Sequence, residues 1–72
     1  MVDGYINLAN AIILQAVKDY REVLQRWKRH PEKKAYLDEK KELERFFRSD
    51  WFSTLTNINP EVLIGKLIQE VA

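Results

Sequence analysis

Seventy-two residues with a formal net charge of +1 make one domain at most, and 12 basic against 11 acidic side chains leave no overall field to draw the chain onto nucleic acid or anionic lipid. There is no cysteine, which excludes disulfides and thiolate zinc sites and makes a reducing cytoplasm the natural setting. One core of this size typically supplies only about 3–5 kcal/mol of net stability, so dense packing or self-association has to supply the rest.

Charge is unevenly spread, with Asp3 the only charged side chain before Lys18. The uncharged run Gly4 to Val17 is shorter than the roughly 20 apolar residues of a membrane span and contains Asn7, Asn10 and Gln15. It also lacks the basic lead and the cleavage-type ending of a signal peptide. It reads as the first half of a soluble helix over about residues 5–29. With Ile13 at zero and steps of 100°, Ile6, Ala9, Ala16, Val17, Tyr20, Leu24 and Trp27 fall within about 60° of it, a continuous apolar stripe. The opposite face carries Lys18, Glu22, Arg26 and Arg29 in its second half but Leu8, Ala11 and Leu14 in its first. The first half is therefore expected to be covered on two sides.

His30-Pro31 ends that helix, and a second is expected over about 31–48, with Pro31 at its first position and Glu32 against the helix dipole. Its seam is Tyr36, Leu43 and Phe47, flanked by Phe46, with the Lys40 stem bridging a thin middle. Lys34 with Asp38, Lys40 with Glu44 and Glu44 with Arg48 are pairs at helical spacing, each contributing a few tenths of a kcal/mol.

Phe46-Phe47-Arg48-Ser49-Asp50-Trp51-Phe52 is the densest feature of the chain. A helix continued through it would scatter its rings around the circumference. Ser49 as an N-cap, with Asp50 next, instead starts a short third helix over about 50–55, and the bend turns all four rings toward a common core. Thr56 to Ile58 reads as a turn. Asn59-Pro60-Glu61 repeats the grammar of a helix start, giving a last helix over about 60–71 with Leu63, Ile64, Leu67, Ile68 and Val71 on one face. Gly65 inside it costs up to about 1 kcal/mol relative to alanine unless something packs closely there. The expected fold is all-α: a long antiparallel helical hairpin with two short C-terminal helices packed on it, over its open end and over Leu8, Ala11 and Leu14.

No pattern of catalysis emerges. His30 is the only histidine and has no nucleophile or orienting acid placed for it, and Ser49 is used as a cap. Glu39 and Glu42 lack the Glu-x-x-His spacing of bundle metal sites, and two glycines make no phosphate loop. No catalytic, cofactor or metal residue is assigned. The basic cluster Arg26, Lys28, Arg29, Lys33 and Lys34 around His30 is the candidate for an anion or nucleic acid; read plainly, it is a solvated hairpin tip. A helix-turn-helix reading of Arg45 to Val71 is weak, since its reader helix has Lys66 as its only cation. The favoured class is protein interaction with an unidentified partner or with itself as a homodimer. It would use Leu8, Ala11, Leu14, Trp51 and Phe52, with nucleic acid as the lesser alternative and no membrane or metal partner. Against it stands the plain reading that the four helices consume this surface internally.

Ala11 to Arg21, then Glu44-Arg45-Phe46-Phe47-Arg48-Ser49-Asp50-Trp51-Phe52, then Leu55-Thr56 and Leu63-Ile64, resemble a family of short helical proteins of phages and integrated mobile elements of Firmicutes bacteria. The resemblance covers roughly residues 7 to 71, and the aromatic motif is its most distinctive part. It implies no activity and no site residues. It implies a context in which small proteins bind host proteins or act as oligomers, which is analogy. The family pattern has an acidic-glycine turn where this chain has Asn59-Pro60, so that turn is a poor place to look for function.

Overall fold

The computed structural model describes the backbone of residues 2–72 and the side chains of residues 8–72. Four helices make up the chain: α1, Val2–Arg29; α2, Lys34–Phe47; α3, Asp50–Leu55; and α4, Pro60–Val71, with no strand among the described residues. α1 and α2 each touch all the other helices, while α3 and α4 do not meet.

α1 follows its apolar stripe. Ala16, Val17, Tyr20 and Leu24 are buried, Ile13 and Trp27 are partly buried, and Val23, to one side of the stripe, is buried as well. Ile6, on the same stripe by spacing, has its side chain outside the described residues. The helix begins at Val2, earlier than the expected position 5. Arg26, Lys28 and Arg29 in its last turn suit the negative end of its dipole.

Pro31 does not open α2. The amide of Lys33 bonds the His30 carbonyl at 3.1 Å, so His30 to Lys33 form a tight turn with Pro31 inside it, and α2 starts at Lys34 without a side-chain cap. Proline at the second position of such a turn and proline at the first position of a helix need the same φ, which is why the local signal was ambiguous. From there α2 runs back along α1. The Lys40 ammonium lies 5.3 Å from the Trp27 ring centre, and the Tyr20 hydroxyl donates to Glu44 at 2.5 Å. The Phe47 ring meets Tyr20 edge-on at 5.5 Å. With 14 residues against 28, α2 ends beside the middle of α1.

The bend at Ser49 forms as its residues dictate. The Ser49 hydroxyl accepts the Phe52 amide at 3.2 Å and donates to the Phe46 carbonyl at 2.6 Å, capping α3 while closing α2. Three of the four rings gather: Phe47 and Phe52 are buried, 5.5 Å apart and nearly perpendicular, and Phe46 lies 5.7 Å from each of Phe47, Phe52 and Trp51. Trp51 does not join them inside; its indole is 57% exposed, resting on Phe46 from the solvent side. The Asn59 side chain accepts the amides of Glu61 at 2.9 Å and Val62 at 3.4 Å, with Pro60 opening α4.

The path of α4 departs from expectation. Arg48 grips Glu61 at 2.6 and 2.9 Å near its start, Arg21 grips Glu70 at 2.8 and 3.2 Å near its end, and the Lys28 ammonium donates to the Val71 carbonyl at 2.7 Å. α4 therefore runs along the C-terminal half of α1 toward the turn at His30 to Lys33, burying Ile64 and Leu67; Ile68, expected on its buried face, is exposed. A Cβ at Gly65 would meet no atom within 4 Å, so no close approach accounts for that glycine. The core comprises Ala16, Val17, Tyr20, Val23, Leu24, Phe47, Phe52, Ile64 and Leu67. It lies wholly within the C-terminal half of α1 and its partners. The rest of α1 projects, giving extents of 46 × 20 × 19 Å.

Candidate interaction surface

The residues expected to be roofed by the short helices are bare. Leu8 is 62% and Leu14 66% exposed, and Ala11 between them is exposed too. The reason is the course of the chain after Thr56, which sends α4 toward the tip. The interior of the fold lies on the other side of α1, at Ala16, Val17 and Tyr20.

A shallow groove of about 400 Å³ opens where α1 leaves the bundle, lined by Ala11, Ile12 and Ala16 of α1 with Leu43 and Phe46 of α2. Gln15 and Asp19 edge it, with the Gln15 amide donating to Asp19 at 2.9 Å. Phe46 also carries Trp51 against its ring. Phe46 thereby links the two expected halves of the surface, the α1 row and the aromatic knot. Phe52 does not belong to it: its ring is 1% exposed and part of the core, because the N-cap at Ser49 turns it inward. A second group of exposed apolar side chains, Ile58, Val62 and Ile68, lies before and along α4. Ile68 also borders an apolar cleft of about 370 Å³ with Leu24, Trp27, Pro31 and Val71. The regular spacing of α4 hid these residues, since its apolar positions outnumber those that one packed face can take.

The basic side chains gather at the tip. Arg26, Lys28, Arg29, Lys33 and Lys34 are all exposed. Lys28 is engaged by the Val71 carbonyl, and Lys33 lies 5.7 Å from the Tyr36 ring centre. His30 Nδ1 is 3.5 Å from Glu32. Trp27 faces the bundle under Lys40, which removes it as a stacking platform for bases.

One polar cluster was not foreseen. Tyr20 is fully buried, and a buried phenol needs a partner for its hydroxyl; that requirement was the available signal. Glu44 supplies it, accepting also from Lys40 at 2.7 Å, with Arg48 3.9 Å away. Burial, then the hydrogen bond to Glu44 and its negative charge, push the Tyr20 phenol far above its ordinary range. For Glu44, burial works against ionisation, but the bonds from Lys40 and Tyr20 and the charges of Lys40 and Arg48 outweigh it and hold the carboxyl below its usual range. Such a cluster keeps a tyrosine protonated and a glutamate charged, and so locks α2 to α1 in register. Among the described residues no group of three or more His, Cys, Asp or Glu is placed to hold a metal ion, and no helix is long and apolar enough to cross a membrane.

Comparison with models of protein families, with curated proteins and with solved structures found no match to this chain.

Proposed function

We propose that the chain is a small non-enzymatic interaction module of the cytoplasm that offers the projecting half of α1 and the adjoining Trp51 corner to another protein surface, self-association being its first form. The supporting fold reading is a helical hairpin of α1 and α2 with α3 and α4 packed on its tip half. One observation carries the proposal: Leu8 and Leu14, the most exposed large apolar side chains among the described residues, stand on the back of α1, away from the core. Exposed apolar residues are ordinary when scattered, but here they continue through Ala11, Ile12 and Phe46 to Trp51. Descent from a phage or mobile element belongs to the same proposal and rests on the resemblance around Glu44 to Phe52.

Sedimentation velocity over a concentration series tests it. The average mass of the parent chain should climb toward that of a dimer, while Leu14→Glu stays a monomer. A parent that remains a monomer up to high micromolar concentration ends the self-association reading. The rival use, nucleic acid at the tip, draws on the exposure of Arg26, Arg29, Lys33 and Lys34 at one end of the molecule. It requires binding that weakens steeply with salt and disappears when Arg26, Arg29 and Lys33 are changed to glutamate. A mobility-shift experiment without a shift at low salt removes it.

A further inference from the structure

We infer that α4 is a strap: it opens from α1 as one unit on the Thr56 to Asn59 link while α1, α2 and α3 stay packed, and the ion pairs at its two ends set how firmly it closes. This device lies on the core side of α1, apart from the exposed face proposed above for a partner.

α4 is joined to the fold differently from the other helices. α1, α2 and α3 each touch the other two, and the buried rings of Tyr20, Phe47 and Phe52 tie them together, with Phe47 5.5 Å from each of the others. α4 rests on α1 and α2 and does not meet α3. It buries only Ile64 and Leu67 of its 12 residues. Beyond them, the apolar cleft of about 370 Å³ separates Ile68 and Val71 from Leu24, Trp27 and Pro31.

The polar anchors sit at the ends. Arg48 holds Glu61 and Arg21 holds Glu70, each through two bonds, and Lys28 holds the Val71 carbonyl. The side chains of these ion pairs are 49% to 63% exposed, whereas Lys40 and Glu44, in the cluster that fixes α2 to Tyr20, are 15% and 13% exposed. Exposed ion pairs are individually weak and screened by salt. The latch on α4 therefore loosens as ionic strength rises, while the sheltered cluster on α2 responds little. Few buried apolar contacts and solvent-exposed polar ones mark a unit that opens below global unfolding.

The link permits this without dismantling α3. The Thr56 amide closes α3 on the Phe52 carbonyl, and the Asn59 side chain caps α4, so each helix keeps its terminal bonds on its own side of the link. A free helix of 12 residues is marginal in water, and Gly65 weakens it further with no close packing in return, so an opened α4 melts. Opening bares Ile64 and Leu67 together with the Leu24 side of α1, an apolar surface that the closed form hides.

Native-state hydrogen exchange, followed residue by residue by NMR, tests the strap. The amides of Ile64 to Gln69 should share one protection factor, at least about ten-fold lower than those of Tyr20 to Leu24 and of Leu43 to Phe47. Raising sodium chloride from about 0.02 M to about 0.5 M should lower protection in α4 several-fold and leave Tyr20 to Leu24 unchanged. Glu70→Arg should lower it in the same way, and adding Arg21→Glu should restore the parent value. Equal protection in α4 and α1 makes the four helices one cooperative unit and overturns the inference. So does a gradient rising from Glu70 inward, which is fraying of the last turns. Protection in α4 that is low but ignores both salt and charge reversal overturns the latch.

Discussion

The two halves of α1 both carry apolar side chains and meet opposite fates. From Ala16 to Trp27 the helix lies in a trough of α2, α3 and α4 that buries Tyr20, Val23 and Leu24. From Leu8 to Leu14 it is richer still in leucine and isoleucine, with Leu8, Ile12, Ile13 and Leu14, yet its back is open and only the Ile13 side leans on the core. The difference lies in the neighbours. α2 has half as many residues as α1, and α4 spends its length beside the tip half. An apolar helical face therefore states what a segment requires, and the lengths and courses of the other helices decide whether the chain itself meets the requirement.

The largest expected effect lies where the covered half is most crowded. Phe47 is fully buried and packs edge-on against both Tyr20 and Phe52. Phe47→Ala should cost about 3–5 kcal/mol, the scale of a large aromatic removed from a packed core. That equals the whole net stability expected of so small a domain, about 3–5 kcal/mol. The cooperative thermal transition seen by circular dichroism should vanish or fall below room temperature. A variant that melts like the parent would mean that the aromatic cluster does not hold the covered half together.

Much of this was legible beforehand, and the reasons divide by range. Ser49 and Asn59 act within three residues of themselves, so their caps could be read from the chain alone. The Lys40 stem in a thin seam was legible too, since position 40 faces α1 at a helical step between Tyr36 and Leu43. Pro31 was misread because its fixed φ serves a turn and a helix start equally. The exposure of Leu8 and Leu14 was left open, since the sequence fits them both to a roof of short helices and to a partner surface. It follows from the direction of α4, which is tied to contacts such as Arg21 with Glu70, 49 residues apart. The surface residue Phe52 was lost to the core for a local reason, and Phe46 gained a linking role that no spacing rule announces.

A smaller effect sharpens the comparison by removing one atom. Tyr20→Phe deletes the hydroxyl that donates to Glu44 and keeps the ring that Phe47 packs on. At neutral pH it should cost about 1.5–3 kcal/mol, toward the lower end because Lys40 still donates to the carboxylate. Glu44 is held below its usual range in the folded chain, so its contribution is complete above the ordinary glutamate value near about 4.3. It is lost as pH falls through the depressed folded value. The gap between parent and variant should therefore narrow in acid. On the alkaline side the raised Tyr20 phenol gives stability that is complete below about 10 and lost as pH rises through its folded value. Urea midpoints measured from neutral to acid pH check this. A gap that stays constant would mean the Tyr20 hydroxyl is not coupled to the Glu44 charge.

The smallest effect is expected on the open half, and its smallness is informative. Leu14→Ala removes a side chain that is 66% exposed, so in dilute solution the unfolding free energy should move by no more than about 0.5 kcal/mol. Alanine's slightly better helix propensity offsets part of even that loss. The same leucine in the covered half would cost several times more. Concentration then separates the two halves. If a second copy covers Leu14, binding to the folded state raises the parent's melting temperature as protein is added, by mass action. Leu14→Ala should flatten that dependence while matching the parent at low concentration. A loss of about 2 kcal/mol or more at high dilution would instead place Leu14 under cover within the single chain, and the contrast between the halves of α1 would fail.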